Sequence, residues 1–267
     1  MVTPVDDCGE IDIAGSVRLA KWLVSKRVNG IFVGGTTGRF SHFASEQNAT
    51  LCTAIAEAVG DQVTIYGGIC DSGVPRMLRN AALMKSAGAD LAVATGPYYL
   101  SRLQEEREGE LELLADRSPL PVMFYDIPEF VGYRLSACWL ERMADHENVV
   151  GYKDSSDDWR HHLDVLARTR CKKFAVLMGK ELLLADALQS GAQGLVVSLL
   201  QADPEPFVVM TEEATKGNWE AVRQQQGQVG KIVDDFLTWY KPRPVFSTLL
   251  RYLEFKLRAN GLDIRLE

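Results

Sequence analysis

Eight short apolar runs recur along the 267-residue chain, separated by stretches with helical periodicity. The runs fall at 2–5, 30–34, 63–67, 91–95, 122–125, 149–153, 174–178 and 195–198. The helical stretches fall at 16–28, 45–59, 75–87, 104–117, 136–145, 157–169 and 181–190. In the first of these, Val17, Ala20, Leu23, Val24 and Val28 share a face, as in a helix with one side buried. The strand-like runs are almost continuously apolar, which fits a parallel sheet covered on both faces. Strand and helix in strict alternation, eight times over, predict an α/β fold of the (β/α)8 TIM-barrel type.

Beyond the eighth run, 203–217 and 218–240 also read as helices. Lys241-Pro242-Arg243-Pro244 then breaks the pattern before a last helix at 245–260. Barrel strands and most barrel helices are therefore expected within 1–200. The last barrel helix and extra C-terminal helices are expected within 201–267, as part of one structural unit. Asn29-Gly30, Gly88 and Gly191 each precede an apolar run, where glycine suits the end of a helix. The opening Met1-Val2-Thr3-Pro4-Val5 leaves little room for a first strand, which is expected to be very short or trimmed.

Charge and composition narrow the function. A net charge of −7 without any Lys/Arg-rich block argues against nucleic-acid binding. No apolar run approaches the roughly 18 residues needed to cross a membrane. Five widely spaced cysteines with no CxxC pair, and no signal peptide, point to a reducing cytoplasm. Cys52 and Cys138 lie in helical patterns and are expected to be small buried hydrophobes. The four histidines lack metal-ligand spacing, and the adjacent His161 and His162 point to different helix faces, so no metal is expected.

Active sites of (β/α)8 enzymes sit at the carboxyl ends of the strands. Four clusters fall there. Gly34-Gly35-Thr36-Thr37-Gly38 follows the second run; it suits either a plain turn or an anion cradle of backbone N–H and hydroxyl donors. Pro97-Tyr98-Tyr99 follows the fourth, and Tyr125 ends the fifth, each tyrosine being a rim aromatic or a proton carrier. Lys153 ends the sixth, as a solvated charge or as an amine whose burial favours the nucleophilic form. Lysine and tyrosine on neighbouring strand ends make a candidate Schiff-base site.

Five motifs in order, Gly-Thr-Thr-Gly at 35–38, Pro-Tyr-Tyr at 97–99, Tyr-Asp-Ile-Pro at 125–128, Gly-Tyr-Lys-Asp-Ser-Ser at 151–156 and Gly-Ala-Gln-Gly at 191–194, resemble those of the dihydrodipicolinate synthase/N-acetylneuraminate lyase family. The resemblance runs over nearly the whole chain. It implies a class I pyruvate aldolase or lyase that uses a covalent lysine imine and no separate cofactor. It implies Lys153 as the imine-forming residue and Tyr125 as the proton shuttle. It further implies Thr36 and Thr37, with Gly35, as the carboxylate-binding turn, and Gly179, Val196 and Ser198 as pocket lining. Tyr99 matches a tyrosine that reaches across a subunit interface, which implies a homo-oligomer, dimer or tetramer.

Three departures bear on the second substrate. Phe130 stands where dihydrodipicolinate synthases carry an arginine for the aldehyde's carboxylate. Arg39 stands where an acidic residue is common, and either meets a distal carboxylate or phosphate or forms a surface salt bridge. After Gly179, only Glu181 remains of the two acidic residues usual in sialic acid lyases. By elimination the expected substrates are pyruvate with an aldehyde, joined as a 2-keto-3-deoxy sugar acid or related 2-oxo acid. The alternatives are 4-hydroxy-tetrahydrodipicolinate synthase, a Schiff-base dehydratase, or a keto-acid-binding sensor without catalysis.

Overall fold

The computed structural model describes residues 1–239 and 245–267. Lys241-Pro242-Arg243-Pro244 and Tyr240 lie outside the described residues. Among the described residues, seven strands form one sheet in chain order: β1 (Gly30–Val33), β2 (Thr64–Gly68), β3 (Leu91–Ala94), β4 (Val122–Asp126), β5 (Val149–Asp154), β6 (Ala175–Met178) and β7 (Gly194–Leu195). The pairings from β3 through β7 are all parallel. With a helix between successive strands and further helices at the carboxyl end, the fold is of the (β/α)8 class.

The chain divides into two compact units. One holds residues 67–86 and 90–196. Its centre is β4, buried at every position, with the Phe124 ring 4.8 Å from that of Trp139. The other holds residues 1–66, 87–89 and 197–267. Leu19, Leu23, Ile31, Val33, Leu51 and Ile55 are buried there, as are Phe207, Tyr252 and Leu253 of the carboxyl-terminal helices. Helix Trp219–Trp239 lies along helix Glu205–Thr215, and Gly217 makes the turn between them at φ 72°.

Five expectations need correction. Residues 2–5 form no regular strand: only Val5 pairs, in an isolated antiparallel bridge with Ile11. Pro4 has no N–H to donate to a ladder, and its neighbours are tied by side chains instead. Val2 N donates to Gln201 Oε1 at 2.8 Å, and Thr3 Oγ1 to the Gly38 carbonyl at 2.7 Å. The first helix starts earlier, at Ile13, because Asp12 caps it: Oδ1 accepts from Gly15 N at 2.8 Å. The last strand stops at Leu195, since Ser198 already has helical dihedrals and leads a 3-10 turn. Cys138 is exposed, because Trp139, Leu140 and Met143 take the buried face of helix Ala137–Met143; Cys52 is buried as expected. Finally, Gly88 and Gly191 have positive φ, at 85° and 109°, but Gly30 begins β1 and Arg27, at φ 65°, takes the left-handed position after the first helix.

The Asp12 cap generates a stability test. Asp12→Ala leaves Gly15 N without its acceptor and should lower unfolding free energy by about 1 kcal/mol in urea titration.

Candidate active site

The register between β4 and β5 decides what faces what. Val122 pairs with Val149, but Met123 pairs with Gly151, so the ladder slips by one residue at Val150. From there Tyr125 pairs with Lys153 and Asp126 with Asp154. Without the irregularity Tyr125 would face Tyr152, and Lys153 would have no tyrosine beside it. Both Tyr125 and Lys153 are buried, at 4% and 7% exposure, and Lys153 Nζ lies 3.9 Å from the Tyr125 ring centroid. That is the contact of an ammonium or amine with an aromatic face.

Gly179, just past β6, makes room for the lysine. A Cβ there would stand 2.1 Å from Ser155 Oγ, 2.9 Å from the Asp154 carbonyl and 3.2 Å from Lys153 Cε. Gly179 N also donates to that carbonyl at 2.7 Å, tying β5 to the start of the next loop. Val196 follows β7, with its N–H on the Met178 carbonyl at 2.8 Å. Cys70, fully buried past the end of β2, lies within electrostatic reach of Lys153, and its burial pushes the thiol up. Tyr98 is pushed up to about 12, by burial first and then by Asp71 and Cys70. Tyr99 is 91% exposed and held at φ 84°, a left-handed conformation that costs a non-glycine residue energy. Phe130 is likewise exposed, at 57%.

The other unit holds the remaining residues singled out in the sequence. Thr37 Oγ1 and Ser198 Oγ are 2.6 Å apart, so these two hydroxyls meet. The Thr36 carbonyl accepts from Arg39 N at 2.9 Å, closing a turn whose two threonines are half-buried. Arg39 donates through Nη2 to the Thr3 carbonyl at 3.0 Å and stacks on Phe43, 5.4 Å from its centroid. Partial burial lowers its pKa, with Glu267 opposing, and its Nε is buried without a hydrogen-bond partner.

The sequence reading missed a buried polar network behind β4 and β5. Tyr152 Oη donates to Asp126 Oδ2 at 2.9 Å. Asp154 Oδ1 accepts from Ser156 N and Ser156 Oγ at 2.9 and 2.7 Å, and its Oδ2 meets His162 Nδ1 at 2.9 Å. His161 and His162 do diverge: His162 stacks on Trp159 and His161 on Tyr152. The available signal was an aspartate directly after both Tyr125 and Lys153. Among the described residues, no group of three or more His, Cys, Asp or Glu is placed to hold a metal ion, and no helix is long and apolar enough to cross a membrane.

A buried lysine and tyrosine thus stand side by side on adjacent carboxyl strand ends of an α/β sheet. Comparison with known proteins gives the family. Residues 1–259 match the Dihydrodipicolinate synthetase family, and the chain belongs to that family. It is 30% identical to 4-hydroxy-tetrahydrodipicolinate synthase 1 of Streptomyces coelicolor, over 94% of this chain and 81% of that one. Its fold matches a prophage protein of the dihydrodipicolinic acid synthase family from E. coli K12, solved in complex with pyruvate (TM-score 0.90, 21% identity, 100% and 88% coverage). It also matches 2-keto 3-deoxygluconate aldolase from Picrophilus torridus (TM-score 0.87, 24% identity, 100% and 93% coverage). The chain is thus an enzyme of that family, whose members are lyases.

Asp126 makes the back-face network testable. Burial, with Asp154 adding to it and Tyr152 opposing, raises its carboxyl to about 7, above its ordinary 3.8. The folded state therefore holds a proton that the unfolded chain has lost, and this group's contribution to stability falls as pH rises from about 4 to 7. Asp126→Asn removes that loss while keeping an acceptor for Tyr152. The melting temperature of the variant relative to wild type should rise between pH 5 and pH 8; a constant difference would contradict the assignment.

Proposed function

We propose that Lys153 forms an imine with pyruvate or a 2-oxo acid, and that the physiological substrate is a 2-keto-3-deoxy sugar acid or a related 2-oxo acid. The observation that carries the reading is the register that lays Lys153 Nζ on the Tyr125 ring inside a buried strand end. The Lys153 amine adds to the C2 carbonyl, a proton from the Tyr125 hydroxyl lets the oxygen leave as water, and a cationic iminium remains beside the phenolate. In cleavage, Tyr125 takes the proton of the C4 hydroxyl as the C3–C4 bond breaks. The electron pair moves into the iminium to give an enamine, and an aldehyde departs. Protonation at C3 and hydrolysis of the imine then release pyruvate and regenerate the lysine. Thr36 and Thr37, with Gly35, are proposed to bind a carboxylate, in keeping with their place in the family pattern. Gly179, Val196 and Ser198 are proposed to line the pocket.

Phe130 supports a sugar-acid substrate over the synthase reaction, because an apolar ring offers an aldehyde's carboxylate no donor. The 30% identity to a 4-hydroxy-tetrahydrodipicolinate synthase supports that reaction as the second reading. Assays with 2-keto-3-deoxygluconate, and with pyruvate plus aspartate semialdehyde, separate them. The outward Tyr99 supports a homo-oligomer in which a second copy covers it, and dilution should then lower activity less in Tyr99→Phe than in wild type.

Borohydride reduction in the presence of pyruvate should add one reduced pyruvyl group, mapped to Lys153 and absent in Lys153→Ala. Tyr125→Phe should fold normally and lose about 100-fold or more in turnover, the scale of one proton-transfer group. Wild-type turnover in that variant would remove its assigned role.

A further inference from the structure

Tyr125 and Lys153 are each followed by a buried aspartate, and the same register sets these aspartates side by side. Side chains alternate along a strand, so Asp126 and Asp154 lie on the face away from Tyr125 and Lys153. Asp154 is the more tightly held. Its carboxylate takes three donors: Ser156 N, Ser156 Oγ and His162 Nδ1. In the tautomer with hydrogen on Nδ1 the ring donates to the Asp154 oxygen, which accepts. Its carbonyl is fixed as well, by Gly179 N at 2.7 Å.

His162 is fully buried, stacked 5.5 Å from Trp159, and its Nε2 is buried with no hydrogen-bond partner. Packing alone would be served by an apolar ring, without the cost of one unsatisfied nitrogen. What the imidazole supplies is a single directed donor, aimed at the residue next to Lys153. Rotation of the β5 end about its axis would swing Lys153 Nζ off the Tyr125 ring, and the Asp154 anchor opposes that rotation.

We infer that His162 is a positioning residue: acting through Asp154, it sets where Lys153 Nζ meets the substrate carbonyl. The inference rests on the imine reading above. It predicts a defect in the imine-forming step and not in binding, since reactions of this kind lose about 100-fold for a misplacement near 1 Å.

The test compares two amides that differ in reach. In His162→Asn the amide nitrogen falls near the place of Nδ1; in His162→Gln it falls near that of Nε2. Rates of borohydride trapping are measured against pyruvate concentration for both variants and wild type. The Asn variant should stay within about 3-fold of wild type, and the Gln variant should be slower by about 10-fold or more, with half-saturation within about 2-fold. Equal trapping rates in the two variants, or a change confined to half-saturation, would overturn the inference. If the Gln variant does not fold, Ser156→Ala removes another donor to Asp154 and should slow trapping by about 3-fold; a wild-type rate there overturns it too. A wild-type protein that takes no label brings down the imine reading itself, and this inference with it.

Discussion

The one-residue slip between β4 and β5 is the constraint on which the rest of the site depends. In a parallel sheet, register decides which side chains share a face, and a shift of one residue exchanges the faces. Here the shift at Val150 brings Lys153 opposite Tyr125 and leaves Tyr152 on the back, where it bonds Asp126. Gly151 follows the slip, and a Cβ there would stand 2.5 Å from the Ala175 carbonyl, so the irregular ladder has no room for a side chain. The reactive pair in front and the carboxylate pair behind are two consequences of the same backbone feature.

Those two layers differ in their electrostatics. The front pair exposes an amine and a phenol to whatever carbonyl enters. Behind it, burial first and the neighbouring Asp154 second raise Asp126 to about 7, while hydroxyl, amide and imidazole groups surround Asp154. A hydrogen-bonded layer behind a reactive layer is one way to hold catalytic groups within a fraction of an ångström.

Much of the architecture was legible in the sequence because parallel strands are buried on both faces and announce themselves as apolar runs. The helices 45–59 and 104–117 were bounded to the residue, since Ser45 and Gln104 begin them cleanly and Gly60 and Ser118 follow them. Some features that failed are fixed by distant partners and others by short-range detail. The amino-terminal segment is held by Gln201 and Gly38, and no local pattern could show that its ladder would be replaced by side-chain bonds. Cys138 sits in a seven-residue helix too short for its periodicity to choose a face. The candidate residues Tyr125 and Lys153 were readable as strand ends, but their facing each other was not, because it depends on the slip at Val150. The network around Asp154 was invisible for a related reason: His162 lies eight residues away and meets it only through the fold.

The central claim is that Lys153 carries pyruvate as an imine that opens to an enamine. Proton exchange at the pyruvate methyl group, followed by NMR in D2O with no aldehyde present, tests that step directly. Catalysed deuterium uptake by the wild-type protein, abolished in Lys153→Ala, is the result this account predicts. Exchange at the buffer rate in wild type, or exchange that survives in Lys153→Ala, would contradict it.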